Sequence, residues 1–267
     1  MINRLSITCG FKNERSYLKD TFFTRPFRVV SVGEDRRDPA LYLMIMSSSP
    51  GILDDDHYDI DITVETHSRL QLQSQSYQRL FNMQRGARQE QRITLQRNST
   101  FSYVQHPVVP HEHSIFSGHT AIILEDNCQL TFGEIITCGR KHSGEVFRFS
   151  SFHNITEVRY RHKLLLKDNV LLQPQLLSMQ AIGQMEGYTH QATLLYVNTG
   201  ECDMDALPDA LHELLSAEEG IAAGVSRSGT YCTVVRILGN GGEQLLSCLQ
   251  RMQYYLWKNS VNTTTVL

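Results

Sequence analysis

Long hydrophobic runs are missing from this 267-residue chain. None approaches the roughly 20 consecutive apolar residues that a membrane-spanning helix requires. The opening MINRLSITCG lacks the continuous apolar core of a signal peptide. These two absences lead us to expect a soluble, cytoplasmic protein with no membrane partner. An excess of positive charge is missing too: 25 Lys and Arg stand against 28 Asp and Glu, a formal net charge of -3. Without a basic stripe to neutralise phosphates, no nucleic acid is expected as a partner. The six cysteines (Cys9, Cys128, Cys138, Cys202, Cys232, Cys248) include no CxxC pair and none of the close spacing of zinc sites, which fits a reducing compartment. Asn98, Asn154 and Asn262 start N-x-[ST] patterns that matter only in a secretory compartment, and we read them as chance.

Enzyme signatures are also lacking. GRKHSGE (Gly139 to Glu145) spaces two glycines as a P-loop does, but no Lys-Ser/Thr follows to meet phosphate and magnesium. There is no G-x-S-x-G elbow, HExxH pair or dinucleotide fingerprint. The expectation is a non-enzyme with no tightly bound cofactor.

What is present is alternation. From about Tyr58 to Leu172 apolar and polar residues alternate, as at Ile60, Ile62, Val64, Leu70 and Leu72, the period of half-buried strands. ITVETHSRL (Ile62 to Leu70), ITLQRNSTF (Ile93 to Phe101) and IILEDNCQL (Ile122 to Leu130) share one spacing, their starts 31 and 29 positions apart, with LLLKDNVLL (Leu164 to Leu172) as a weaker fourth copy. Units recurring at this interval predict a mainly β fold of stacked β-strands, either β-helix-like or a layered sandwich. The C-terminal part changes character. Pro208 and Asp209 open a helical segment with Leu211, Leu214 and Leu215 on one face and Gly220 beyond its end, and Thr230 to Leu238 reads as a strand. Leu245, Leu246, Leu249, Met252 and Leu256 then recur at helical spacing. We therefore expect one domain over 1–267: a β-rich body at 1–200, a small C-terminal helical α/β layer at 201–258 and a flexible tail at 259–267.

Three polar clusters could carry chemistry. His111 and His113, with His106 nearby, are borderline-metal ligands if brought together, and otherwise part of a solvated loop. Asp54, Asp55 and Asp56 form an acidic run that is either a solvated turn or a site. Glu134 and Glu145 flank ITCGRKHSG, and a carboxylate turned inward there needs a partner or a water-filled passage.

These segments, in this order, resemble the urease accessory protein UreD (UreH) family. The resemblance runs through TFFTRPFRV (Thr21 to Val29), SPGILDDD (Ser49 to Asp56), LQLQSQSYQRLFN (Leu70 to Asn82), HPVVPHEHSIF (His106 to Phe116), FGEIITCGRKHSGEVF (Phe132 to Phe147) and GVSRSG with VVRILGN (Val234 to Asn240), covering about 18–258. The chain has Asp55 where the family has glycine before its acid, so Asp56 matches the family's aspartate. Asp168, in LLLKDN, matches an acidic position after a short β run. Cys138 falls where relatives vary.

The resemblance implies a scaffold that binds the urease apoprotein and UreF, and through UreF the GTPase UreG, during nickel insertion into the urease metallocentre. A passage for transient nickel is implied with it. Weak oxygen ligands suit such a passage because they release the ion, which makes Asp56, Glu134, Glu145 and Asp168 the candidate path residues and His106, His111 and His113 weaker ones. Two other readings remain at this point: a His-based metal enzyme, and a β-solenoid scaffold for another metallocentre such as an iron–sulfur cluster.

Overall fold

The computed structural model describes residues 2–33, 35, 37–200 and 204–260. Cys202, Asn262 and most of the expected tail lie outside the described residues.

The chain shuttles between two sheets. β1 (Ile2–Lys12), β5 (His57–Val64), β8 (Ala87–Leu95), β11 (Ile115–Leu124) and β13 (Ser151–Tyr160) stack in parallel in the first sheet. β4 (Leu41–Ser47), β6 (Arg69–Ser74), β9 (Thr100–Val104) and β12 (Gln129–Thr137) stack in parallel in the second. Each coil thus contributes one strand to each sheet, the β-helix-like stacking expected from the repeats. Ile62 pairs with Ile93 and Ile93 with Ile122, so the three repeat starts sit one above another. The turns repeat as well: His67, Asn98 and Asn127 all adopt left-handed backbone, and the Asn127 amide donates to Asn98 Oδ1 at 3.1 Å. Asn tolerates this conformation better than other non-glycine residues, which is why N-S and N-C follow the strand ends.

The fourth copy behaves differently. Above β11 the next coil is β13, where Val158 pairs with Ile122. Leu164 to Leu172 falls in β14 (Lys163–Leu172), which returns antiparallel to β13 after a tight turn at Arg161 and His162. A two-residue turn can only form a hairpin, since a parallel coil needs a long crossover. The same apolar spacing therefore serves a different connection.

The remaining strands close the edges. β2 (Arg15–Phe23) pairs with β1, β3 (Phe27–Ser31) with β4, and the short β7 (Gln78–Leu80) and β10 (Val108–Pro110) with each other. β15 (His190–Asn198), β17 (Cys232–Gly239) and β16 (Ala222–Ser228) continue the second sheet antiparallel beyond β12. Alternate residues of the two sheets face each other and form the main core, including Leu5, Ile62, Ile93, Ile122, Leu72, Phe101 and Phe132.

The outer face of the second sheet is covered by α2 (Gly242–Asn259), while the short α1 (Leu207–Glu213) packs near β16. All five residues of the expected helical stripe are buried, against Ile135, Ala192, Leu194, Val235 and Ile237. At roughly 1.5–3 kcal/mol for each buried aliphatic side chain, this stripe is the main attachment of the helix. Gly133 permits the close approach, because a Cβ there would lie 3.1 Å from Leu249 Cδ1. Arg69 lies over the Trp257 ring at 4.7 Å and donates to Ser260 Oγ at 2.8 Å, fastening the end of α2 to β6. No described helix is long and apolar enough to cross a membrane.

Candidate functional site

The space between the sheets is apolar at one end and polar at the other, and strand register sets the boundary. In the first sheet Ile62, Ile93, Ile122 and Val158 form one apolar row. Two residues upstream the same strands place Ile60, Gln91, Thr120 and Thr156, with Asp168 next to Thr156 on β14. The row beyond holds Tyr58, Gln89, Gly118 and Asn154. In the second sheet the apolar row Leu72, Tyr103, Phe132, Leu195 and Val234 gives way to Glu134, Thr193 and Arg236, again in register. Polar side chains from both sheets therefore meet in one band that runs along the stacking direction.

Two cavities occupy this band. One, about 120 Å³, is bordered by Tyr58, Ser74, Tyr77, Gln91, Tyr103 and His106. The other, about 40 Å³, is bordered by Glu134, Asn154, Asp168, Gln191 and Thr193, and Gln78, Gln89 and Gln105 form the wall common to both. Since a water needs only ~10–15 Å³ of such volume, even the smaller one has room for solvent.

Glu134 sits at the centre. Its carboxylate accepts from Asn154 Nδ2 and Thr156 Oγ1, each at 3.0 Å. Burial pushes its pKa up from 4.5 to about 7. The two hydrogen bonds pull the other way, and the nearby Asp168 charge adds to the rise. Asn154 has space only because residue 118 is glycine: a Cβ there would fall 2.2 Å from Asn154 Oδ1. Asp168, 8% exposed, faces this region from β14 and accepts from Arg236 Nη2 at 2.5 Å. Arg236 Nη1 also lies 3.4 Å from Thr193 Oγ1.

The other candidate residues lie elsewhere. Asp56 accepts from the Leu53 amide at 2.8 Å and from Asn3 Nδ2 at 3.3 Å, which closes its turn. It borders an open cleft, and Phe116 is common to the walls of that cleft and of the Glu134 cavity. Asp54 caps the Arg85 and Gly86 amides, both at 2.9 Å, and Asp55 pairs with Arg85. Glu145 is held by Arg140 and accepts from the Glu112 amide at 3.2 Å, and the arginine keeps its carboxyl below the usual range. It secures the GRKHSG turn to the neighbouring loop.

The histidines do not converge. His106 Nδ1 is 2.9 Å from Ser74 Oγ beside the larger cavity, and burial lowers its pKa. His111 packs its ring 4.8 Å from Phe81, with Nε2 buried and unpaired. His113 is exposed, 3.8 Å from Glu112. Among the described residues no three His, Cys, Asp or Glu side chains form a group able to hold a metal ion. A resident metal centre built from the His106, His111 and His113 imidazoles has no support in this geometry.

Of the acids singled out in the sequence, the structure brings Glu134 and Asp168 together, beside Asn154, Thr156, Thr193, Arg236 and glutamines that the sequence had not marked. One signal was available. Gln89 and Gln91 share the parity of Ile93 and Leu95, so two amides lie on the inward face of a strand.

The comparisons with known proteins agree with the resemblance. A family profile described as UreD urease accessory protein matches residues 3–265. The chain is 61% identical over 257 residues to a urease accessory protein UreD of Flavobacterium johnsoniae, covering 96% of this chain and 93% of that one. It is 32% identical to a UreD of Acetivibrio thermocellus (96% and 97% covered), and 28% identical to a urease accessory protein UreH of Helicobacter pylori (89% and 88%). The relatives are thus named as accessory proteins rather than as urease itself. With this coverage, and a fold that matches the stacking read from the repeats, the chain belongs to the UreD urease accessory protein family.

Proposed function

We propose that this chain is a non-catalytic cytoplasmic scaffold for urease maturation, which joins the urease apoprotein to UreF and, through UreF, to the GTPase UreG, and lets nickel pass between its two sheets. The observation that supports this reading is the polar band with Glu134 and Asp168 inside it. Placing two acids, five glutamines (Gln78, Gln89, Gln91, Gln105 and Gln191) and a set of hydroxyls side by side between two sheets, with Asp168 and Gln91 buried, costs stability, because each must find a partner away from bulk water. A core with no task beyond packing has no reason to bear that cost. Carboxylate, amide and hydroxyl oxygens bind a borderline divalent ion weakly enough to release it, as a conduit requires and a storage site does not. Asp56 lies at the mouth of the neighbouring cleft, and Glu145 holds the adjoining loop in shape.

The test is urease maturation in cells carrying the urease operon with or without this chain. Without it, nickel per active site should fall close to zero, and UreG should no longer co-purify with apourease. Full nickel loading in its absence would overturn the proposal. Glu145→Ala should cost about 1 kcal/mol through the lost latch, lowering loading only in proportion to the soluble protein that remains.

A further inference from the structure

The ion pair at the carboxylate end of the polar band has an unusual division of exposure. The Asp168 side chain is 8% exposed and that of Arg236 is 49%. The arginine therefore reaches in from solvent to a buried acid. Its strand position fixes this: Arg236 on β17 is in register with Thr193, and Thr193 with Glu134, so all three lie in one row facing the opposite sheet. Gln91, in the same row of the first sheet as Asp168, is 2% exposed with its Nε2 unpaired while bordering the larger cavity. The band thus contains an unsatisfied polar group facing free volume, and a carboxylate already taken by a cation of the chain itself.

We propose that Arg236 is the gate of this band: a tethered cation that occupies Asp168 Oδ1 in the resting protein and competes with a divalent ion for that carboxylate, swinging outward as the ion binds. This rests on the nickel-route reading above. A guanidinium and Ni2+ compete for the charge of the same carboxylate and repel each other at close range, so an arginine held on Asp168 Oδ1 weakens nickel binding there. Half of the arginine already lies in water, so its outward swing requires little desolvation. Arg236 is a positioning residue, acting on the ion through Asp168.

The test uses the full-length purified chain with Ni2+ alone as the probe. Arg236→Gln should bind Ni2+ roughly 10-fold more tightly than the wild type, Arg236→Lys should stay near wild type, and adding Asp168→Asn to Arg236→Gln should abolish the gain. In the wild-type chain, which avoids any folding defect of a variant, saturating Ni2+ should raise phenylglyoxal modification of Arg236 several-fold, while Mg2+ at equal concentration should not. A purely structural ion pair would change stability and leave Ni2+ affinity unmoved. Unchanged affinity in Arg236→Gln together with unchanged Arg236 modification overturns the gate. If urease from cells carrying Asp168→Asn is then underloaded with nickel, the route stands and only the gate fails. Normal loading together with the affinity gain keeps the gated site and removes the route.

Discussion

Glu134→Gln should stabilise the protein above neutral pH while changing little in acid. The carboxyl has a pKa of about 7 in the folded chain against 4.5 for the free group, so the folded state holds a proton that the unfolded state has lost between those values. Stability from this site is therefore full below about pH 4.5 and declines as pH rises toward 7, because over that window the unfolded chain ionises freely while the folded carboxyl is held protonated. At pH 8 the accumulated penalty is about 3 kcal/mol, a ceiling because the adjacent cavity admits water. Glutamine keeps the shape and an acceptor for Asn154 Nδ2, and its own amide can donate to the Thr156 hydroxyl. Urea unfolding of metal-free protein at pH 4.5 and pH 8 should show the variant equal to wild type at the first and more stable at the second. Equal stability at both pH values would mean that Glu134 ionises as an exposed carboxylate does.

Gly139→Ala should be the most damaging small substitution in the GRKHSGE segment. Its φ of +114° is a conformation that side-chain-bearing residues rarely adopt, and a Cβ there would lie 2.8 Å from the carbonyl oxygens of both Glu145 and Pro110. Both neighbours are backbone, so neither can rotate away. The backbone strain and the forced displacement together suggest a loss of roughly 3–5 kcal/mol. Against the 5–15 kcal/mol typical of a domain, soluble yield at 37 °C should collapse. By contrast, Gly144→Ala, with nothing within 4 Å of the new Cβ, should cost only about 1–2 kcal/mol for its left-handed backbone. Comparable yields for the two variants would remove the packing argument.

The fold was legible wherever a local period maps onto a local structure. Ile62, Ile93 and Ile122 announced the stacked coils because each coil is about 30 residues long and re-enters the same row. The Leu245 to Leu256 stripe announced α2 because a helix meets its sheet through residues three and four apart. Leu164 to Leu172 misled because its apolar spacing carries no record of strand direction, which the Arg161 and His162 turn decides. β16 was not recognised: GVSRS is mostly exposed, and its strand state is imposed by pairing with β17.

The site was legible as isolated acids and no further. Glu134 stood out because a charge among FGEII must be paid for somewhere. Arg236 did not, since it lies 68 positions from Asp168 and meets it only when β17 joins the second sheet opposite β14. Asn154 carried a misleading N-x-T pattern, and only the space left by Gly118 shows what it does. Glu145 and the Asp54 to Asp56 run looked as acidic as Glu134, yet their partners are turn amides and surface arginines.

The proposed passage of nickel through the band between the sheets is put to the test by the double variant Glu134→Gln with Asp168→Asn. Both substitutions keep side-chain size and remove only the anionic oxygens. Nickel per urease active site is measured by elemental analysis beside the amount of this chain and of UreF recovered with the apoprotein. A loading loss of about 10-fold or more at unchanged complex recovery is expected on the proposed route, because the two anionic side chains assigned to it are gone while the scaffold remains. Wild-type nickel content with the double variant present in the complex would contradict it.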